Sequence, residues 1–255
     1  MPLSLVTIPC LADNYAYLIH DAETGETALI DAPEPGPILA ALAERGWKLT
    51  DVILTHHHWD HIDGLPPIVE AFAPRVIGAA ADAHRLPHLD LAVRDGDAVT
   101  VCGETAQVFD VSGHTVGHIA VHFPASGLVF TADSLMALGC GRLFEGTAAQ
   151  MWDSLLKLRA LPDSTTVCSG HEYTLGNARF ALTVDPDNVA LQLRTAAIEE
   201  ARDEGRPTVP TTLGEEKATN PFLRADAPDL QAAIGMVGAD PADVFAEVRT
   251  RKDNF

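Results

Sequence analysis

Short apolar runs recur through the first two thirds of the chain at the length of strands. Residues 3–8, 16–19 and 28–30 read as strands, whereas apolar positions over 38–43 follow helical spacing and end near Gly46. Val52-Ile53-Leu54 forms another short buried strand, and 106–111, 119–123 and 128–131 continue the series. A helix over 148–160 stops before Pro162, and a strand over 165–168 follows. This mixture predicts sheets covered by helices.

Beyond Tyr173 the pattern turns helical. Asp185-Pro186 reads as an N-cap followed by proline at the first helical position, with Gly205 closing the helix. Asp240-Pro241 repeats the device, and Val244 and Val248 share one face. A Pro- and Thr-rich connector, 207–212, separates the two helices. The expected organisation is a mixed α/β domain over 1–172 and a helical domain over 173–255, a size that 255 residues accommodate.

The strand at 52–54 runs into Thr55-His56-His57-His58-Trp59-Asp60-His61, four imidazoles and a carboxylate in six residues. In extended backbone His56 and His58 point to one side and His57 to the other, and Trp59 is expected to pack beneath the loop. A histidine-rich surface loop would not explain the other ligand types, which also follow apolar strands: His114 after 108–111, Asp133 after 128–130, His171 after 166–168. Strand ends are where open α/β folds build sites. His56, His58 and His114 suffice for one ion and Asp60, His61 and His171 for a second, with Asp133 bridging. Nitrogen and oxygen donors without thiolate suit zinc, iron or manganese alike. Two ions about 3.5–4 Å apart can share a water and lower its pKa towards about 7, which implies hydrolysis of a carbonyl-like substrate.

A formal charge of −19 opposes nucleic acid or an anionic membrane as partner, and an anionic small molecule would need a local basic pocket. The four cysteines, Cys10, Cys102, Cys140 and Cys168, form no CxxC pair and read as buried thiols rather than disulfides or zinc ligands. The first residues show neither a basic n-region nor a long apolar stretch, so a cytoplasmic protein is expected; a monomer is expected as well, with an oligomer left open.

The histidine run resembles the HxHxDH signature of the metallo-β-lactamase superfamily. Ser112-Gly113-His114-Thr115-Val116-Gly117-His118, Thr131-Ala132-Asp133-Ser134 and Ser169-Gly170-His171-Glu172-Tyr173 resemble its remaining ligand segments. Within it, Leu11-Ala12-Asp13-Asn14-Tyr15, the run from Gly139 to Thr147, Thr219-Asn220-Pro221-Phe222-Leu223-Arg224 and the run from Arg249 to Phe255 resemble glyoxalase II, the hydroxyacylglutathione hydrolases. The resemblance implies a four-layer αβ/βα sandwich with a helical C-terminal domain. It also implies cleavage of S-D-lactoylglutathione to D-lactate and glutathione; a metal-bridging hydroxide is the expected nucleophile, and Asp60 is expected to orient it by hydrogen bonding. Arg142, Phe144, Tyr173, Arg249 and Lys252 match its glutathione pocket, and on a helix Arg249 and Lys252 share a face.

Four positions depart from the family pattern. Phe144 stands where tyrosine is usual, Arg142 where lysine is also common, and Ala132 where glycine precedes the bridging aspartate. Asp63 adds a carboxylate beside the histidine run. Competing readings are a lactonase or β-lactamase, an iron persulfide dioxygenase, or a non-enzymatic metal-binding module. His57, His118 and His122 are expected to play structural parts.

Overall fold

The computed structural model describes residues 2–255, which divide into two compact units, one reaching to Asp110 and including Val116–Ala132, the other formed by Val111–Thr115 with Asp133–Phe255.

The first unit opens with an antiparallel meander, β1 (Ser4–Cys10), β2 (Asn14–His20) and β3 (Glu26–Ile30). Pairing then turns parallel through β4 (Lys48–Leu54), β5 (Arg75–Ala79) and β6 (Leu91–Val93). The helix α1 (Pro35–Arg45) makes the β3–β4 crossover and ends at left-handed Gly46, as its sequence predicts. The single-turn α2 (Trp59–Ile62) and α3 (Leu65–Phe72) make the β4–β5 crossover. Parallel pairing sets the C-terminal ends of β3, β4 and β5 side by side.

An antiparallel set follows: β7 (Ala98–Val101), β8 (Glu104–Asp110), β9 (Ile119–Phe123) and β10 (Leu128–Ala132). Tyr17 on β2 meets Phe130 on β10 edge-on at 5.6 Å, and Phe130 meets Phe123 at 5.8 Å, so two sheets face each other within this unit. Every residue of β9 and β10 and all but the last of β2 is buried, which requires cover on both faces of each sheet.

The second unit holds two short hairpin strands, β11 (Leu135–Met136) and β12 (Gly139–Cys140), then α4 (Ala148–Arg159) and β13 (Thr166–Ser169). Thr147 and Gln150 form a capping box that starts α4. Next come α5 (Thr174–Val184), α6 (Val189–Asp203), β14 (Thr211–Thr212) paired with β13, α7 (Leu213–Thr219), α8 (Pro228–Ala233) and α9 (Pro241–Asp253). Phe222 packs against Phe180 and Phe245 in the core, where Val244 and Val248 are fully buried. Asp240 caps α9 as expected, accepting from the Ala242 N–H at 2.9 Å. The expected cap at Asp185 is corrected: α6 starts three residues later, capped by Asn188 accepting from Leu191 N–H, and Asp185 closes α5. Among the described residues, no helix is long and apolar enough to cross a membrane.

Candidate functional site

The ends of three parallel strands supply a first donor cluster. Immediately after β3, Asp31 adopts a left-handed backbone (φ 57°) and is buried. Its carboxylate accepts from Thr55 N–H and Oγ1 (both 2.8 Å) just beyond β4, and pairs with His61 Nδ1 at 2.7 Å. Donor atoms of Asp31, His56 and His61 all lie within 4.8 Å of one another. After β5, the fully buried Asp82 contacts His57 Nδ1 at 2.9 Å and Arg85 Nε at 2.6 Å. A Cβ on Gly117 would lie 3.0 Å from the Asp82 side chain. His57 thus turns its Nδ1 to Asp82 rather than to the His56–His58 pair, while its ring still meets that of His58 at 4.9 Å.

His56 Nδ1 lies 3.0 Å from Thr55 Oγ1, while its Nε2 lies 3.1 Å from His58 Nδ1. The His118 ring stacks on His56 at 4.6 Å, and the following Ile119 N–H donates to Thr55 O. Asp60 and His61 ride on α2. Asn14 Nδ2 at the start of β2 donates to Asp60 O (3.0 Å) and Oδ2 (3.1 Å), which gives the Asp13-Asn14-Tyr15 segment a physical task. The end of α2 is tied down by Ala32 N–H on His61 O and Gly64 N–H on Ala32 O. A Cβ at Gly64 would come within 2.8 Å of Ala32 O. Trp59 does not pack beneath the loop; it is 64% exposed, because the inward face of this single turn belongs to His61. Asp63 is exposed and belongs to no donor cluster among the described residues.

A second donor cluster lies in the second unit. Asp133 follows the left-handed Ala132 (φ 40°), the position where glycine would be relaxed. Its Oδ2 lies 3.4 Å from His114 Nε2 and 3.3 Å from His171 Nε2, a carboxylate between two imidazoles. His114 Nδ1 meets Arg142 O at 2.8 Å, so its Nε2 is the nitrogen turned to Asp133. The glycines of 139–146 permit this approach: a Cβ at Gly141 would lie 2.0 Å from Asp133 O and 2.8 Å from His114 Nδ1. Burial pushes the Cys168 thiol far up, which leaves it an apolar filler.

The expected pocket residues also belong to this unit. Phe144 is 61% exposed and meets the His114 ring edge-on at 5.3 Å; Tyr173 stacks on His171 at 4.7 Å. Arg142 is exposed and makes an ion-pair contact with Asp253. Arg249 is turned inward: Nη1 donates to Cys140 O at 3.1 Å, Nε and Nη2 donate to Asp253, and the guanidinium lies over Phe222. Lys252 lies over Phe180 and Phe255, and burial lowers its pKa below the usual lysine range, the Arg249 charge adding and Asp253 opposing.

The Thr219-to-Arg224 segment has its own structural task. Asn220 Nδ2 donates to Met136 O and Gly139 O, and buried Glu216 accepts from Leu138 N–H and Asn220 while pairing with Arg194. Together they hold the hairpin that leads to Gly141. Sequence reasoning missed Asp31, Asp82 and Glu216; Asp31 carried the same signal as Asp133, an aspartate directly after a buried apolar strand.

Comparison with known proteins points the same way. A model of the metallo-beta-lactamase superfamily matches residues 12–171, and one of the hydroxyacylglutathione hydrolase C-terminus matches 172–255. A hydroxyacylglutathione hydrolase of Ruegeria pomeroyi is 67% identical over the full length of both chains. Among solved structures, ETHE1 from Myxococcus xanthus superposes with TM-score 0.66 at 27% identity, covering all of both chains. TTHA1623 in a di-iron-bound form gives 0.61 at 27% identity, over 86% of this chain and all of that one. The chain belongs to the hydroxyacylglutathione hydrolases of the metallo-β-lactamase superfamily and has that fold, a sandwich of mixed sheets with a helical C-terminal region.

Proposed function

We propose that this protein hydrolyses S-D-lactoylglutathione to D-lactate and glutathione, using two divalent ions, zinc first, held by His56, His58, Asp60, His61, His114, Asp133 and His171. The observation that carries the reading is how the histidines are oriented. His56, His61 and His114 each commit one ring nitrogen to Thr55, Asp31 or the Arg142 carbonyl, which fixes the ring and aims the other nitrogen at further donors. Donors on a tetrahedral ion at about 2.0–2.1 Å stand about 3.3 Å apart. The 3.1 Å between His56 and His58 and the 3.3 and 3.4 Å around Asp133 fit that spacing.

When bound, the ions supply a water of lowered pKa and polarise the thioester carbonyl. Asp60, held by Asn14 at both its backbone carbonyl and its carboxylate, orients the attacking water through a hydrogen bond. Phe144 lies against the His114 imidazole edge-on and Tyr173 covers one face of the His171 imidazole. Arg142 and Lys252 provide local positive charge for the carboxylates of glutathione in an otherwise acidic protein. The departing thiolate is stable near neutral pH, so the site needs no separate general acid.

We further infer a cytoplasmic monomer whose catalytic and helical parts divide near residue 172. Steady-state turnover of S-D-lactoylglutathione, with metal content measured on the same sample and a chelated control, tests the reading. Chelator-sensitive turnover with about two ions per chain is expected. Two bound ions without turnover would discard the glutathione thioester.

A further inference from the structure

Asp253 sits in the last turn of α9, where the helix dipole disfavours a carboxylate. Its Oδ1 accepts from Arg249 Nε at 3.1 Å and Nη2 at 2.8 Å, and lies 3.5 Å from Arg142 Nε. One oxygen thus holds together two guanidinium groups that would otherwise repel. The remaining Arg249 donor, Nη1, reaches the Cys140 carbonyl two residues before Arg142, so a closed ring of contacts joins α9 to this loop. With Nε of Arg142 facing Asp253, its Nη1 and Nη2 donate to no group among the described residues, and the side chain is 61% exposed.

We propose that Asp253 is a positioning residue for substrate recognition: it aims the free Nη edge of Arg142 at a carboxylate of the glutathione thioester, an inference that rests on the substrate reading above. Two parallel N–H donors match the two oxygens of a carboxylate. Holding the side chain beforehand removes part of the ordering cost of binding, which corresponds to about a three- to tenfold effect on affinity.

The test measures kcat and KM for S-D-lactoylglutathione, and calorimetric binding of glutathione, in wild type, Asp253→Asn, Arg142→Ala and the double variant. Asp253→Asn should raise KM about three- to tenfold with kcat within about twofold, and should add nothing in the Arg142→Ala background. Asp253→Glu, which keeps the charge, should recover most of the loss, and carries the same comparison should the Asn variant unfold. An unchanged KM, or an equal rise with and without Arg142, overturns the proposal. Absence of turnover in wild type would instead overturn the substrate reading, and Asp253 would then be judged by whether Asp253→Asn weakens glutathione binding only while Arg142 is present.

Discussion

Replacing Glu216 by alanine is the most demanding test of how the second unit is held together. The carboxylate is fully buried on α7 and takes four donors on two oxygens: the Arg194 guanidinium and Thr211 Oγ1 on one, Leu138 N–H and Asn220 Nδ2 on the other. Arg194 keeps a bond to Thr219 Oγ1, and Asn220 keeps two carbonyls, so neither is stripped bare. What remains is a guanidinium only 10% exposed without its counter-charge, and a Leu138 N–H without an acceptor in a turn with φ 54°. Breaking a buried ion pair from one side costs about 3–5 kcal/mol. At about 2–4 °C per kcal/mol for a chain of this size, melting should fall by about 6–20 °C. Glu216→Gln, which retains the shape and one acceptor, should lose roughly half as much. Thermal and urea unfolding followed by circular dichroism measure both variants. A Glu216→Ala protein within about 1 kcal/mol of wild type would refute the hub, since the pair would then be worth no more than a surface contact.

Asn14→Ala removes both hydrogen bonds to Asp60 and should weaken metal affinity or activity about 10–100-fold with little change in fold, read by metal analysis against turnover. Phe144→Tyr should lower KM by about fivefold if the restored hydroxyl gains a hydrogen bond of about 1 kcal/mol with substrate; an unchanged KM would mean this ring only packs against His114. Burial holds the His122 imidazole below its usual range, Glu104 acting the other way, and its Nδ1 has no hydrogen-bond partner among the described residues. Its contribution to stability is therefore whole above the unfolded value near 6.5 and is lost as pH falls through the lower folded value, so His122→Leu should flatten the acid limb below about pH 6.5 relative to wild type in pH-dependent melting.

The proposed ligand residues stand out in the sequence because each follows an apolar strand; β10 and the ends of β4 and β13 are buried on both faces, whereas β8 before His114 alternates buried and exposed positions. The run Val76-Ile77 was not legible: only two large apolar residues precede Gly78, and its identity as β5 comes from partners, Val52 opposite Val76 and Ile53 opposite Ile77. β6 and β7, three and four residues long, are equally short of local signal. The start of α6 was misplaced because Asp185-Pro186 and Asn188 both offer cap chemistry, and only the actual bond from Leu191 N–H decides between them. For Arg249, helical spacing gives the face it shares with Lys252, but its inward turn depends on the Cys140 carbonyl from a loop 109 residues away. Local pattern carries no information about such a partner.

The parallel arrangement of β3, β4 and β5 accounts for how four adjacent imidazoles receive different tasks. Because the three strands end together, Asp31 and Asp82 reach the histidine run of β4 from its two neighbouring strands, and each captures one ring nitrogen, of His61 and His57 respectively. Asp82 is at once bound to Arg85, whose Nη2 donates to Val116 O, so the His57 side belongs to a network that extends to the Val116-Gly117 turn. Asp31 is instead bound to Thr55, whose hydroxyl also meets His56, so the His61 side belongs to the donors. A strand order that placed either carboxylate elsewhere would leave the same histidine run with its rings unassigned. The sheet topology, not the spacing alone, therefore separates His57 from the proposed ligands.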